Sequence, residues 1–216
     1  MEIKVIIFDM DGTILDTLPD LAVATNEALE QMGFPTRSLD EIRGFMGDGG
    51  ARLIERAVPQ GTPPELCRQT FELWRSIYIG SGYALTEPFP GVVEVLEDLR
   101  GRGVKTAVLS NKFDEGVQQL AGRFFPGLFD LVLGDAPPAP RKPDPTVLLQ
   151  MVDELGARPC EVAYVGDAIV DVQVAHNAGV RAVGVSWGYD AANPLPVGQL
   201  DAYVHEPSEL LAFCRR

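Results

Sequence analysis

The chain predicts an α/β fold, a doubly wound parallel sheet with a small helical domain inserted after its first strand. Three observations carry this expectation. Short β-branched runs of strand length alternate with stretches whose apolar residues recur at helical spacing. No strand signal appears between Asp16 and Leu85. Acidic or amide residues stand directly after several of the apolar runs, and open α/β sheets bind their ligands beyond the carboxyl ends of strands.

The first strand is the run VIIF, Val5–Phe8, apolar on both faces as a strand covered on two sides must be. After it, Thr17 with Pro19 and Asp20 reads as an N-cap, a first-turn proline and a capping acid. Leu21, Ala24, Ala28, Leu29 and Met32 then follow at helical spacing up to Gly33. Ser38 with Glu41 forms a second capping box, residues 51–58 a short helix, and Thr62, Pro63 and Glu65 open a helix reaching about residue 79. These helices form the inserted domain, residues 17–85, bounded by Gly80, Gly82, Pro88, Pro90 and Gly91. The core comprises residues 1–16 and 86–216. There a helix from Val92 to Gly101 precedes strands at 104–109, 129–133, 162–165, 181–185 and 202–204, with helices at 115–124, 145–155 and 170–178 between them.

Composition narrows the classes of partner. A formal charge of -13 argues against nucleic acid or an anionic membrane, while a bound cation and one lysine can still make a local phosphate site. No apolar run is long enough to cross a bilayer and no signal-peptide pattern opens the chain, so a cytoplasmic protein, monomer or homodimer, is expected. Cys67, Cys160 and Cys214 are odd in number and scattered, which fits free thiols. His176 and His205 are too few and too distant for a histidine metal site.

Four clusters at strand ends carry the candidate chemistry. Asp9 follows the first strand and Asp11 points to the same side if the chain stays extended. Two like charges so close imply a cation between them or a shared proton, and Gly12 lets the chain turn away. Ser110 and Asn111 follow the strand at 104–109, where a hydroxyl and an amide can meet an anion, although the pair is also a common turn. Lys142, one of four lysines, lies in the loop after the next strand, placed to hold a phosphate or to offset clustered carboxylates. In VGDAIVD, Asp167 again ends a strand and Asp171 follows four residues on.

The order DMDGT, LSN, Lys142, GDAIVD resembles the four motifs of the haloacid dehalogenase superfamily, and the helical stretch lies where one branch carries a cap. The resemblance implies a Rossmann-like core and a Mg²⁺-dependent phosphatase. Asp9 would be the nucleophile and Asp11 the general acid/base, with Asp9, the Asp11 carbonyl and Asp167 holding the metal and Asp171 orienting that shell. Ser110, Asn111 and Lys142 would stabilise the transferring phosphoryl group. Ala168 departs from the hydroxyl residue often found in relatives.

The second acid of D-x-D speaks against a dehalogenase, and no lysine lies in the insert for Schiff-base chemistry. The segment at 44–58, LSNK and SWGY are similar to phosphoglycolate phosphatases; other small phosphoesters and pyrophosphate stay open. The rival from another class is a phospho-accepting receiver domain, which takes its phosphate on a later strand and has no helical insert. Arg43, Gly47, Gly49 and Arg52 are the candidate substrate contacts from the insert, the glycines through backbone N–H groups and the arginines through a carboxylate.

Overall fold

The computed structural model describes residues 2–189 and 195–214. Its six-stranded sheet is parallel throughout, in the order β5-β4-β1-β6-β7-β8. The strands are β1 (Val5–Phe8), β4 (Lys105–Phe113), β5 (Leu131–Asp135), β6 (Val162–Gly166), β7 (Arg181–Val185) and β8 (Ala202–Val204). Residues alternate between the faces of β1 and so divide the core. Ile6 and Phe8 pack with α5 (Val92–Gly101) and α6 (Asp114–Phe124). Val5 and Ile7 pack with α7 (Thr146–Glu154) and α8 (Ile169–Ala178). Helices on both faces and a continuous apolar β1 are two aspects of one requirement, since an uncovered face would leave such a strand in water.

The insert consists of α1 (Leu18–Gln31), α2 (Leu39–Phe45), α3 (Gly50–Ala57) and α4 (Pro64–Gly80). The expected box at α2 forms: Ser38 Oγ accepts from the Glu41 amide at 3.3 Å, and a Glu41 carboxylate oxygen accepts from the Ser38 amide at 2.8 Å. A short ladder missed in the sequence joins insert to core. Its strands are β2 (Leu15–Asp16) and β3 (Glu87–Pro88), antiparallel, pairing Leu15 with Pro88 and Asp16 with Glu87. Two residues per strand are too few to leave an alternating pattern.

The expected cap of α1 is not made. Thr17 makes no capping bond, and Asp20, rather than serving the helix start, is buried and accepts from the Leu85 amide at 3.0 Å and the Thr86 hydroxyl at 2.7 Å. Local cap chemistry has lost to tertiary partners, and Asp20 ties the outgoing chain to the returning one. The strand expected at 104–109 continues to Phe113, with its register shifting between Leu109 and Phe113. That irregular end carries Ser110, Asn111 and Lys112, all buried.

Candidate active site

β1 lies between β4 and β6, where the sheet order reverses, and the loops beyond its carboxyl end enclose a cavity of about 360 Å³. Asp9, Asp11, Ser110, Asn111, Lys112 and Asp167 line it from the core. Arg43, Arg56 and residues 46–50 line it from the insert. The two halves touch: Asn111 Nδ2 donates to the Gly47 carbonyl at 3.4 Å, and a Cβ on Gly49, whose φ is +84°, would lie 2.8 Å from the Asn111 carbonyl oxygen.

Asp9, Asp167 and Asp171 are buried and can bring one carboxylate oxygen each within 4.8 Å of the others. Burial first, then the charges of its two neighbours, pushes the Asp167 carboxyl well above the usual carboxylate range. Burial likewise raises Asp171, although Lys142 partly offsets it. Lys142 Nζ sits 2.7 Å from Asp171 Oδ1, 3.0 Å from Asp9 Oδ1 and 2.8 Å from the Tyr164 hydroxyl. Burial would lower its pKa, yet attraction to Asp171 and Asp9 carries it well above the ordinary lysine value. Of the two placements foreseen for Lys142, the structure realises the offset of clustered carboxylates.

One ammonium does not balance three carboxylates, and Asp9 Oδ1 meets it at 3.0 Å only as an ion pair, without the alignment of a hydrogen bond. A hard divalent cation with oxygen ligands fits that deficit. Both Asp167 oxygens are held, Oδ1 by the Thr13 hydroxyl at 2.9 Å and Oδ2 by the Tyr189 amide at 2.8 Å, which leaves further lone pairs for a cation. Ala168 needs no hydroxyl for its part here, because its backbone N–H donates to Asp171 Oδ2 at 3.0 Å.

Gly12 makes this packing possible. Its φ is +82°, and a Cβ there would run into the Asp167 carboxylate. Gly12→Ala is expected to displace that carboxylate and to lower kcat about tenfold or more, with a fall in Tm that reports the strained backbone. Activity assays beside a thermal melt check it, and wild-type kinetics would show that Asp167 need not be so placed.

Asp11 stands apart from the cluster. Lys112 Nζ lies 3.0 and 3.1 Å from its two oxygens, and the Thr17 hydroxyl donates to Oδ1 at 2.7 Å. Lys112 also donates to the Tyr78 hydroxyl of α4 at 2.9 Å. Tyr189 ties the start of the insert to the core: its hydroxyl donates to Asp16 Oδ1 at 2.7 Å and accepts from the amides of Thr17 and Leu18 at 2.7 and 3.0 Å. Sequence reading missed Thr17, Lys112, Tyr78 and Tyr189 as site residues. Lys112 and Tyr189 left a signal as the last residues of LSNK and SWGY, though nothing local named the partners they meet.

The insert arginines separate. Arg43 and Arg56 reach the cavity, whereas Arg52 does not line it and pairs with Glu55 on an exposed face of α3. Of the two arginines expected to meet a ligand, the structure brings Arg43 to the cavity and leaves Arg52 outside it, its guanidinium on Glu55. Arg52→Ala is expected to change KM by less than about twofold, and a larger rise in a side-by-side assay would return it to the site.

The model of the haloacid dehalogenase-like hydrolases matches residues 6–185. The chain belongs to that family. It is 34% identical to a phosphoglycolate phosphatase of Vibrio parahaemolyticus over 97% of this chain and 95% of that one. It is also 34% identical to a phosphoglycolate phosphatase of Pseudomonas putida, over 98% of this chain and 79% of the relative. A solved structure from Haemophilus somnus, described as a predicted phosphoglycolate phosphatase, superposes with a TM-score of 0.92 at 28% identity over 98% of both chains. The chain is thus an enzyme, a hydrolase of the haloacid dehalogenase-like family. Among the described residues no helix is long and apolar enough to cross a membrane.

Proposed function

We propose that this hydrolase is a Mg²⁺-dependent phosphatase that cleaves 2-phosphoglycolate through an aspartyl-phosphate on Asp9. The observation that carries the reading is the convergence of Asp9, Asp11 and Asp167 with Ser110 and Asn111 on one cavity at the point where the sheet order reverses. In the first step an Asp9 oxygen attacks phosphorus, the bond from phosphorus to the ester oxygen breaks, and Asp11 gives its proton to the leaving alkoxide. In the second Asp11 takes a proton from water, which attacks the phosphoenzyme, releases phosphate and restores the Asp9 carboxylate. Asp9, Asp167 and the Asp11 carbonyl would hold Mg²⁺, which supplies positive charge against the phosphoryl oxygens. Lys142, saturated by Asp9 and Asp171, holds the nucleophile in place, and Ser110 and Asn111 serve the phosphoryl oxygens. Burial on a strand end fixes Asp9 at the attacking position without a flexible tether.

The insert, residues 17–85, acts as the cap that closes this cavity, and its loop at residues 46–50 offers backbone contacts to what enters. The names of the relatives support phosphoglycolate as the substrate. Phosphate release from a panel of small phosphoesters and pyrophosphate tests this; phosphoglycolate is expected to give the highest kcat/KM, and equal rates for unrelated sugar phosphates would remove it. Chelation is expected to stop turnover, with Mg²⁺ but not Ca²⁺ restoring it, because Ca²⁺ takes longer bonds and more ligands. Full activity in chelator would sink the metal's part. A phosphoprotein that persists without turnover would instead mark a receiver.

A further inference from the structure

Two of the four lysines are buried at the site, and their surroundings differ. Lys142 lies between two carboxylates, Asp9 and Asp171. Lys112, with a side chain only 3% exposed, faces one carboxylate, Asp11, and a neutral phenol, Tyr78. Both ammonium groups bear the cost of leaving water, yet Lys112 spends two of its three N–H donors on one carboxylate, Asp11, so a second carboxylate can take the donor that Asp11 now doubles. Unlike Lys142, it also lines the cavity.

Its position says where that anion would be. Both Asp11 oxygens lie within 3.1 Å of Lys112 Nζ, and Asp11 is the group that must reach the ester oxygen of the leaving group. Substituents on the carbon bonded to that oxygen therefore come close to the lysine. Arg43 and Arg56, the other cations on the wall, are already engaged on the insert: Arg43 with Asp40, and Arg56 with Asp48 and the Phe45 carbonyl.

We infer that Lys112 is a specificity residue, whose ammonium receives a carboxylate carried on the leaving-group carbon and so selects short anionic phosphoesters. The inference rests on the roles proposed above for Asp9 and Asp11. With such a substrate bound, Lys112 would stand between two carboxylates, the arrangement Lys142 already shows. Tyr78 is its positioning residue. Its hydroxyl accepts from Nζ, and its ring is fixed by stacking on Trp74, with centroids 5.5 Å apart, and by edge contacts with Phe113 and Tyr83. Because Tyr78 belongs to the insert and Lys112 to the core, one of the lysine's three polar contacts exists only while the two are together.

The test uses three two-carbon phosphate esters that differ in charge: phosphoglycolate, ethyl phosphate and O-phosphoethanolamine, each assayed for kcat/KM with Mg²⁺. The wild type is expected to prefer them in that order. Lys112→Met is expected to lower the ratio of phosphoglycolate to ethyl phosphate about tenfold or more, whatever common loss follows from disturbing Asp11. Lys112→Arg should keep part of the preference. Tyr78→Phe should raise KM for phosphoglycolate more than for either ester without a carboxylate, and it gives an independent reading if Lys112→Met does not fold. If both esters slow alike in the lysine and tyrosine variants, Lys112 serves Asp11 alone and the inference falls while the phosphatase reading stands. If the wild type turns over ethyl phosphate as well as phosphoglycolate, the inference and the named substrate fall together.

Discussion

Replacing Asp9 with Asn is expected to lower kcat by about 10⁴-fold or more, the scale on which enzymes lose activity when a covalent nucleophile is removed, while the protein stays folded. The amide keeps the shape of the side chain but cannot form the phosphoenzyme, and it is a poorer ligand for a hard cation. Stability should change in the opposite sense. Asp9 is one of the charges that raise the carboxyl groups of Asp167 and Asp171, so removing it relieves repulsion among buried groups. In chelator, the variant's Tm is expected to equal or exceed that of the wild type. Phosphatase activity surviving in a purified variant would dismiss Asp9 as the nucleophile. A fall in Tm with metal absent would show that repulsion does not dominate the cluster.

Lys142→Met is expected to cost about 3–5 kcal/mol of stability, the usual effect of removing one partner from a buried ionic group, and to abolish activity at the same time. Lys142 Nζ is the cation shared by Asp9 and Asp171, and without it both remain buried and unbalanced. The dependence on pH follows from signs. The folded-state pKa values of Asp167 and Asp171 are raised, so their protonated forms favour the fold at low pH and that contribution is lost as pH rises through the raised values. Lys142 opposes this loss for Asp171. The metal-free variant should therefore lose stability more steeply than the wild type between roughly pH 4 and pH 7, the interval from an ordinary carboxylate pKa to a raised one. Urea melts across that range check it, and parallel curves for the two proteins would remove Lys142 from the balance.

Much of the site was legible because its parts end strands. Asp9, Ser110, Asn111 and Asp167 each follow an apolar run, and a parallel sheet brings such ends together whatever their distance along the chain. The Ser38–Glu41 box was legible for the opposite reason, since both partners lie within one turn. What escaped has partners that no local rule selects. Thr17 has the chemistry of an N-cap, but its hydroxyl goes to Asp11. Tyr189 meets Asp16 across 173 positions of sequence, and nothing in SWGY marks it as the residue that binds the first amides of α1. Arg52 and Arg56 stand one turn apart on one helix, so only the positions of Glu55 and Asp48 decide which faces the cavity.

The ladder of Leu15–Asp16 against Glu87–Pro88 also decides where the fold tolerates exchange. The chain departs at Asp16 and returns at its Cα partner Glu87, so the two ends of everything between them lie side by side. A strand pair holds its opposed residues only about 5 Å apart, and any other segment whose ends meet at that gap can be exchanged there without moving the sheet. An exchange there would replace the wall that residues 46–50, Arg43 and Arg56 give the cavity, while Asp9, Asp167 and Asp171 stayed where the sheet holds them.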